Sequence, residues 1–192
     1  MAPKTAASLR PGRVQRGFTL IEVMISMTVM TIGLVSLLGV FGLAMASTQG
    51  SEQNAIAKQL ANEAVEGILT ARETANVTWS QIANTGAGGI FLSGSQPIYL
   101  PGADGIIGTA DDSAAGPRNL QMPGPDGIFG TADDVQLPMS NYRRTIAITP
   151  ALDQAGNPIS TLNSVTITIK YINPRISVPQ LYVLSTYISQ YR

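Results

Sequence analysis

The chain has 192 residues, enough for one modest domain and an extended helix but too few for two enzyme-sized cores. It contains no cysteine and no histidine, which excludes disulfides, thiolate metal sites and histidine-based catalytic triads. The net charge is zero, but four of the 12 basic residues lie among the first 17 positions, which leaves eight scattered basic residues against 12 acidic ones downstream and no face suited to nucleic acid.

A long apolar segment, residues 18–46, follows the basic N-terminus, and Glu22 is its only charged residue. About 20 apolar residues in a helix span a bilayer core about 30 Å thick, so this segment can cross a membrane once. Four basic residues precede it: Lys4, Arg10, Arg13 and Arg16. By the positive-inside rule they place the N-terminus in the cytoplasm. A secretory signal peptide cleaved near residues 44–47 is the alternative, although the apolar stretch is long for one.

Glu22 needs an explanation because an unpaired carboxylate is costly inside a membrane. No basic residue lies within two helical turns after it. If the chain were cut after Gly17, the new amino group of Phe18 would lie within about one helical turn of Glu22 and could pair with it. In an ordinary anchor helix Glu22 would instead snorkel toward the membrane surface, which leaves Gly17 unexplained.

The stretch RGFTLIEVM, residues 16–24, resembles the class III leader junction of type IV prepilins and type II secretion pseudopilins. The resemblance implies that a membrane-embedded prepilin peptidase cuts the Gly17–Phe18 bond and methylates Phe18. It also implies that Glu22 pairs with a neighbouring subunit's terminus once the helix has left the membrane for a filament. Other pilin subunits and an inner-membrane assembly platform would be the further partners.

The resemblance leaves the class of subunit open. Many major pilins kink this helix at a proline, whereas residues 18–46 contain none and carry Gly33, Gly39 and Gly42 instead. The run TIGLVSLLG, residues 31–39, is similar to minor pilins of the PilV kind, and the chain has no cysteine for a C-terminal disulfide. We therefore place a minor pilin first, a major pilin second and a pseudopilin third.

Residues 47–75 predict an amphipathic helix that continues the apolar segment. Apolar residues recur at helical spacing at Ile56, Leu60, Ala64 and Ile68. We expect this face to pack on a sheet formed later in the chain, because the spacing does not hold the heptad of a coiled coil. Residues 76–140 are rich in glycine, proline and aspartate and predict a loop-dominated region.

Two nearly identical twelve-residue units lie in that region, PGADGIIGTADD at residues 101–112 and PGPDGIFGTADD at residues 123–134. We call them the first repeat and the second repeat; they differ only at their third and seventh positions. The Asp-Gly pair in each favours a tight turn with a positive φ angle. Each repeat also gathers three carboxylates: Asp104, Asp111 and Asp112 in the first, and Asp126, Asp133 and Asp134 in the second.

Glycine-rich loops with clustered aspartates supply the oxygen ligands that calcium prefers, so one calcium ion per repeat is a prediction of the sequence. The spacing is neither that of an EF-hand loop nor that of the calcium-binding nonapeptide of β-helix proteins. The other interpretation, which we favour, is a duplicated surface turn kept soluble by its aspartates. Adjacent aspartates give no fixed carboxylate separation for glycoside hydrolysis, and we expect no enzyme activity.

The C-terminal part, residues 141–192, predicts an antiparallel sheet. β-Branched and aromatic residues alternate over residues 142–149, 164–172 and 180–188, and a turn is predicted at residues 153–158. The expected fold is α+β, with a long hydrophobic-to-amphipathic helix packed on a small C-terminal sheet and a Gly/Asp-rich loop region between them. This is the layout that the resemblance to type IV pilins also implies.

We therefore expect a structural subunit of a type IV pilus-like filament. Its leader would be residues 1–17, its precursor would reside in the inner membrane, and its final place would be an extracellular pilus or a periplasmic pseudopilus. An alternative of a different class is an uncleaved, single-pass membrane-anchored surface protein that binds calcium or adheres. A mature protein that retains its leader would favour that alternative.

Overall fold

The computed structural model describes residues 17–172 and 178–191. The chain divides into two compact units, Met1–Met45 and Ala46–Arg192. The predicted leader, apart from Gly17, lies outside the described residues together with its four basic side chains.

The first helix, α1, runs from Leu20 to Glu73. It begins where Thr19 can act as its N-cap, because the Thr19 hydroxyl accepts a hydrogen bond from the backbone N–H of Glu22 at 3.3 Å. It continues without a break through the glycines of the apolar segment, as the absence of proline allows. Within the first unit its side chains are exposed on all sides, and its most apolar stretch, of mean hydropathy 2.2, is long enough to cross a membrane.

The hydroxyl side chains of this apolar stretch find acceptors within the helix itself. Each donates to the backbone carbonyl four residues earlier, at 2.7–2.9 Å: Ser26, Thr28, Thr31 and Ser36. A hydroxyl bonded in this way does not require water or another chain as its partner. The stretch is therefore suited to surroundings without water.

In the second unit, α1 buries one face. The buried residues lie on one face at helical spacing: Ala57, Leu60, Ala61, Ala64, Ile68 and Ala71. Four of these six are alanines, whose small side chains let the helix approach its neighbours closely. They share one hydrophobic core with the sheet residues, which confirms the expected packing of the helix on a later sheet.

The helix ends at a left-handed residue, Ala75, with a φ angle of 59°. The Ala75 N–H bonds to the Arg72 carbonyl at 3.2 Å, and the Asn76 N–H bonds to the Ala71 carbonyl at 2.9 Å. These two bonds form a Schellman motif, which usually has glycine at the left-handed position.

Six strands follow among the described residues: β1 (Ser95–Pro97), β2 (Asn119–Met122), β3 (Val135–Pro138), β4 (Tyr142–Leu152), β5 (Pro158–Ile172) and β6 (Pro179–Ser189). Strands β1, β4, β5 and β6 form an antiparallel sheet in the order β1-β4-β5-β6, and β2 pairs with β3 in a separate two-stranded hairpin. The three predicted strands and the turn before β5 are confirmed, with Gly156 in that turn at a φ angle of 84°. The prediction missed β1, because its sequence Ser-Gln-Pro is short and has no apolar alternation.

The region between helix and sheet holds more of the core than its composition predicts. Ile82, Phe91, Ile98 and Ile106 are buried in the same cluster as the inward-facing residues of the sheet. Asn84 fixes part of this region to β4, since its amide group donates to the Ile146 carbonyl and accepts from the Ile148 N–H, each at 2.8 Å. A side-chain amide thus takes the place of a neighbouring strand at that point of the sheet edge.

Candidate functional site

The predicted processing junction lies just before the helix. Gly17, Phe18 and Thr19 are neither helical nor in a strand, and Phe18 is 82% exposed. A Cβ atom added to Gly17 would meet none of the described atoms within 4 Å, so packing among the described residues gives no reason for glycine at this position. The Gly17–Phe18 bond therefore lies outside the first turn of α1.

Glu22 lies in the first turn of α1, where its negative charge faces the positive end of the helix dipole. Thr19 and Glu22 also have the spacing of a capping box, of which the bond from the Glu22 N–H to the Thr19 hydroxyl is present. Sequence reasoning missed this local role, although the pattern Thr-x-x-Glu before an apolar run was visible. Glu22 thus helps its own helix to begin, whatever it does for a neighbouring chain.

The first repeat folds its aspartates back onto its own backbone. Asp104 accepts the Ile106 N–H at 2.8 Å, and Asp111 accepts the Thr109 hydroxyl at 2.7 Å. A second oxygen of Asp111 accepts the Asp104 N–H at 3.1 Å. These carboxylates act as turn acceptors, which is the usual role of aspartate in Asx turns.

Asp112 is the buried carboxylate of the first repeat, and it bonds to two other parts of the same turn. Its two oxygens accept the backbone N–H groups of Gly102 at 2.9 Å and Gly108 at 2.6 Å. Burial raises the pKa of Asp112, although both hydrogen bonds and the nearby Arg144 favour the ionised form. Arg144 is itself buried, and this burial lowers its pKa to about 10.

The second repeat, at the tip of the β2–β3 hairpin, reproduces this pattern. Asp126 accepts the Ile128 N–H at 2.8 Å, Asp133 accepts the Thr131 hydroxyl at 2.6 Å, and Asp134 accepts the Gly130 N–H at 2.7 Å. The glycine of each Asp-Gly pair has a φ angle of 70°. Both repeats therefore form the same turn, as their near-identical sequences lead one to expect.

The surroundings of the two repeats differ. In the first repeat Ile106 and Ile107 are only 4% and 7% exposed, whereas their counterparts in the second repeat, Ile128 and Phe129, are 61% and 65% exposed. The hydroxyl bond from the neighbouring threonine lowers the pKa of both Asp111 and Asp133. The same turn thus lies in the core at one position and projects into solvent at the other.

The carboxylates of the first repeat lie close enough together to share one cation. Ligand oxygens of Asp104, Asp111 and Asp112 lie within 4.8 Å of one another, and among the described residues this is the one such group of three. A calcium ion would have to share oxygens that already accept backbone and hydroxyl hydrogen bonds, and Arg144 lies near Asp112. Calcium at either repeat stays a prediction.

Comparison with known proteins identifies the N-terminal part of the chain. Residues 12–38 match the family model of the prokaryotic N-terminal methylation motif, which is the class III leader of type IV pilins. No curated protein and no solved structure matches the chain. The match spans Gly17, Phe18 and Glu22 and supports a precursor of the type IV pilin-like or pseudopilin kind. The layout of a long N-terminal helix and a C-terminal antiparallel sheet is that of the pilin fold.

Proposed function

We propose that this chain is a structural subunit of a type IV pilus-like extracellular filament. The methylation motif at residues 12–38 carries the proposal, and the pilin layout of α1 and the sheet supports it. A prepilin peptidase would cut the Gly17–Phe18 bond and methylate Phe18. The apolar part of α1 would hold the precursor in the inner membrane and then form the filament core.

Glu22 would direct assembly by pairing with the Phe18 amino group of a neighbouring subunit. Most exposed side chains around it are apolar, among them Phe18, Ile21 and Ile25, and its carboxylate would be costly in a dry filament core without a positive partner. Cleavage creates such a partner on every subunit. The pairing would fix the register between adjacent helices, because each helix offers one positive and one negative group at its N-terminal end.

Mass spectrometry of protein sheared from the cell surface tests the proposal. The expected N-terminal peptide begins at methylated Phe18. A mature chain that still begins at Met1 would contradict it and favour the uncleaved, membrane-anchored surface protein.

A pair of substitutions separates the assembly role of Glu22 from its role at the helix start. Glu22→Gln keeps the hydrogen-bonding shape that a capping box accepts at this position but removes the charge. We expect Glu22→Gln and Glu22→Ala to insert into the membrane at the normal level and to be almost absent from sheared filaments. Glu66→Ala, which removes an exposed glutamate elsewhere on α1, is the control. Normal assembly of Glu22→Gln would show that charge pairing is not required.

Among the classes of subunit, we propose a minor pilin first. The support is the uninterrupted passage of α1 through Gly33, Gly39 and Gly42 without a proline, and the resemblance of residues 31–39 to the PilV kind. A major pilin and a pseudopilin are the alternatives. Quantification of this chain against the other subunits of sheared filaments tests the choice, since a minor pilin is expected at a small fraction of the total.

A further inference from the structure

The β2–β3 hairpin, which we call the arm, ends in an exposed tip that is both apolar and acidic. Ile128 and Phe129 stand at the tip with most of their surface in solvent. Asp126, Asp133 and Asp134 surround them in the same turn. In the first repeat both equivalent residues are buried, and Ile106 belongs to the core of its own chain. The tip therefore exposes side chains that the same turn buries at the other position.

The outer face of the four-stranded sheet has the opposite charge. Arg143 of β4 lies directly opposite Lys170 of β5, and both are exposed. Leu181 of β6 lies opposite Lys170, and Val183 lies two residues further along the strand; they are 63% and 55% exposed. These four residues, Arg143, Lys170, Leu181 and Val183, are called the sheet patch.

Two like charges in directly opposed positions destabilise a pair of strands. Ser95 holds the Arg143 guanidinium, with its hydroxyl accepting from Nε at 3.1 Å and its carbonyl accepting from the terminal nitrogen at 2.9 Å. Within residues 17–172 and 178–191, neither Arg143 nor Lys170 forms an ion pair with a carboxylate. The sheet patch therefore combines positive charge with exposed apolar surface. Among the described residues no carboxylate pairs with its charges and its apolar side chains stay exposed.

We propose that the tip of the arm of one copy docks on the sheet patch of a second copy of this chain. The carboxylates of the tip would offset the charges of Arg143 and Lys170, while Ile128 and Phe129 would cover Leu181 and Val183. Both halves of the contact are on one chain, and their charges are complementary. The proposal rests on the proposed assembly into a filament, and it places copies of this chain next to one another even where they are a small fraction of all subunits.

The contact joins two different surfaces, so it is heterologous. A heterologous contact that does not close into a ring continues as an open helical array. Each copy would present one free tip and one free patch to the next. This geometry suits a filament and needs no change in the fold of either copy.

The absence of cysteine makes a direct test simple, since introduced cysteines are the only thiols in the chain. Phe129→Cys and Leu181→Cys would be combined in the full-length chain, produced in cells that assemble filaments, and oxidised under mild conditions. We expect a ladder of disulfide-linked multimers from the double variant and no ladder from either single variant. The control pairs Phe129→Cys with Leu152→Cys, an equally exposed position near the other end of β4, and should give no ladder.

A third substitution tests the charge component. Adding Lys170→Glu to the Phe129→Cys, Leu181→Cys chain puts a carboxylate opposite the acidic tip, and we expect most of the ladder to be lost. A ladder that survives this change unaltered would overturn the charge pairing. Loss of processed, surface-exposed protein in the charge variant would be detected in the same cells by N-terminal mass spectrometry.

The outcomes separate this inference from the proposed function. Chains that begin at Phe18 and are sheared with filaments, but give no ladder, would overturn the docking proposal and leave the filament function standing. A cross-link from position 129 to a different protein would also overturn it, since the occupant of the tip would then not be a second copy. Chains that keep their leader and never reach a filament would contradict the proposed function itself.

Discussion

The two repeats form the same turn in two different settings. Each binds its aspartates to its own backbone in the same pattern, and each has its Asp-Gly glycine at the same φ angle. One is packed against Phe91 and Ile146 in the core, while the other projects from the arm. Local sequence therefore determines the shape of this turn, and the rest of the chain determines whether its apolar residues are buried. Matched substitutions in the two repeats can separate these two contributions.

The largest difference in unfolding free energy is expected between the variants Ile106→Ala and Ile128→Ala. Ile106 is part of the core, and truncating a buried isoleucine costs about 2–5 kcal/mol of unfolding free energy. Truncating the exposed Ile128 to alanine should cost no more than about 0.5 kcal/mol of unfolding free energy. Denaturant unfolding of the full-length chain in detergent measures both. Equal losses in the two variants would show that the second repeat is also packed in the protein.

The second largest difference in stability is expected when the glycine at the eighth position of each repeat is replaced by alanine. Gly108 and Gly130 have φ angles of 92° and 87°, so alanine is strained at both. A Cβ at Gly108 would also meet the Ile146 side chain at 2.4 Å, whereas none of the described atoms lies within 4 Å at Gly130. We expect Gly130→Ala to cost about 1 kcal/mol and Gly108→Ala to cost about 1–3 kcal/mol more. If the two melting temperatures fall equally, contact with Ile146 does not limit this position.

The last aspartate of each repeat, Asp112 or Asp134, accepts backbone N–H groups of its own turn. Substituting each one tests how burial changes the contribution of this role to stability. Asp112→Asn replaces one carboxylate oxygen with a donor and leaves either the partly buried Gly102 N–H or the buried Gly108 N–H without its acceptor, at about 1–3 kcal/mol. Asp134→Asn makes the same change at an exposed turn, where water can replace the lost acceptor, and should lower the unfolding free energy less. Comparison of their unfolding midpoints measures the difference. A larger loss of stability from Asp134→Asn than from Asp112→Asn would contradict this expectation.

The same two variants should respond to pH in opposite ways. The pKa of Asp134 is lowered, chiefly by the Gly130 N–H, so its contribution to stability is present above its ordinary pKa and is lost as the pH falls. The pKa of Asp112 is raised by burial, so its contribution is greatest at low pH and is lost as the pH rises through the raised value. Between about pH 6 and pH 3, we expect Asp134→Asn to make the loss of stability on acidification shallower and Asp112→Asn to make it steeper. Parallel pH curves for the two variants would contradict this assignment.

Added calcium should have the smallest effect on the unfolding free energy. Extracellular calcium sites often have dissociation constants of about 0.1–1 mM, so 1 mM calcium would add about 0.4–1.4 kcal/mol to the unfolding free energy. Asp111→Asn should reduce that gain if the first repeat is the site, and Asp133→Asn should reduce it if the second repeat is. Melting curves in calcium and in chelator measure it. Coinciding curves would favour the interpretation of both repeats as hydrogen-bonded turns.

The sequence predicted those parts of the fold that repeat with a regular period. The apolar spacing of Leu60, Ala64 and Ile68 identified the buried helix face, and the alternation along β4, β5 and β6 identified the main strands. It did not predict β1, the arm or the burial of Phe91, because these depend on contacts between distant positions that have no local pattern. The motif around Gly17 and Glu22 was readable because it is a short linear sequence that does not depend on contacts between distant positions. The different settings of the two repeats could not be read at all, since their sequences are nearly the same.

The hydroxyl bonds within the apolar part of α1 have a consequence for the proposed passage of the subunit from lipid to filament. Ser26, Thr28, Thr31 and Ser36 would keep their acceptors in either setting, so the move would neither break nor create hydrogen bonds at these residues. Contacts with lipid chains would be exchanged for contacts with other apolar helices, two media of similar polarity. The energy that distinguishes the two locations would then be concentrated at Glu22, the one charged group between Phe18 and Ala46. A single side chain could in this way make a largely neutral transfer directional.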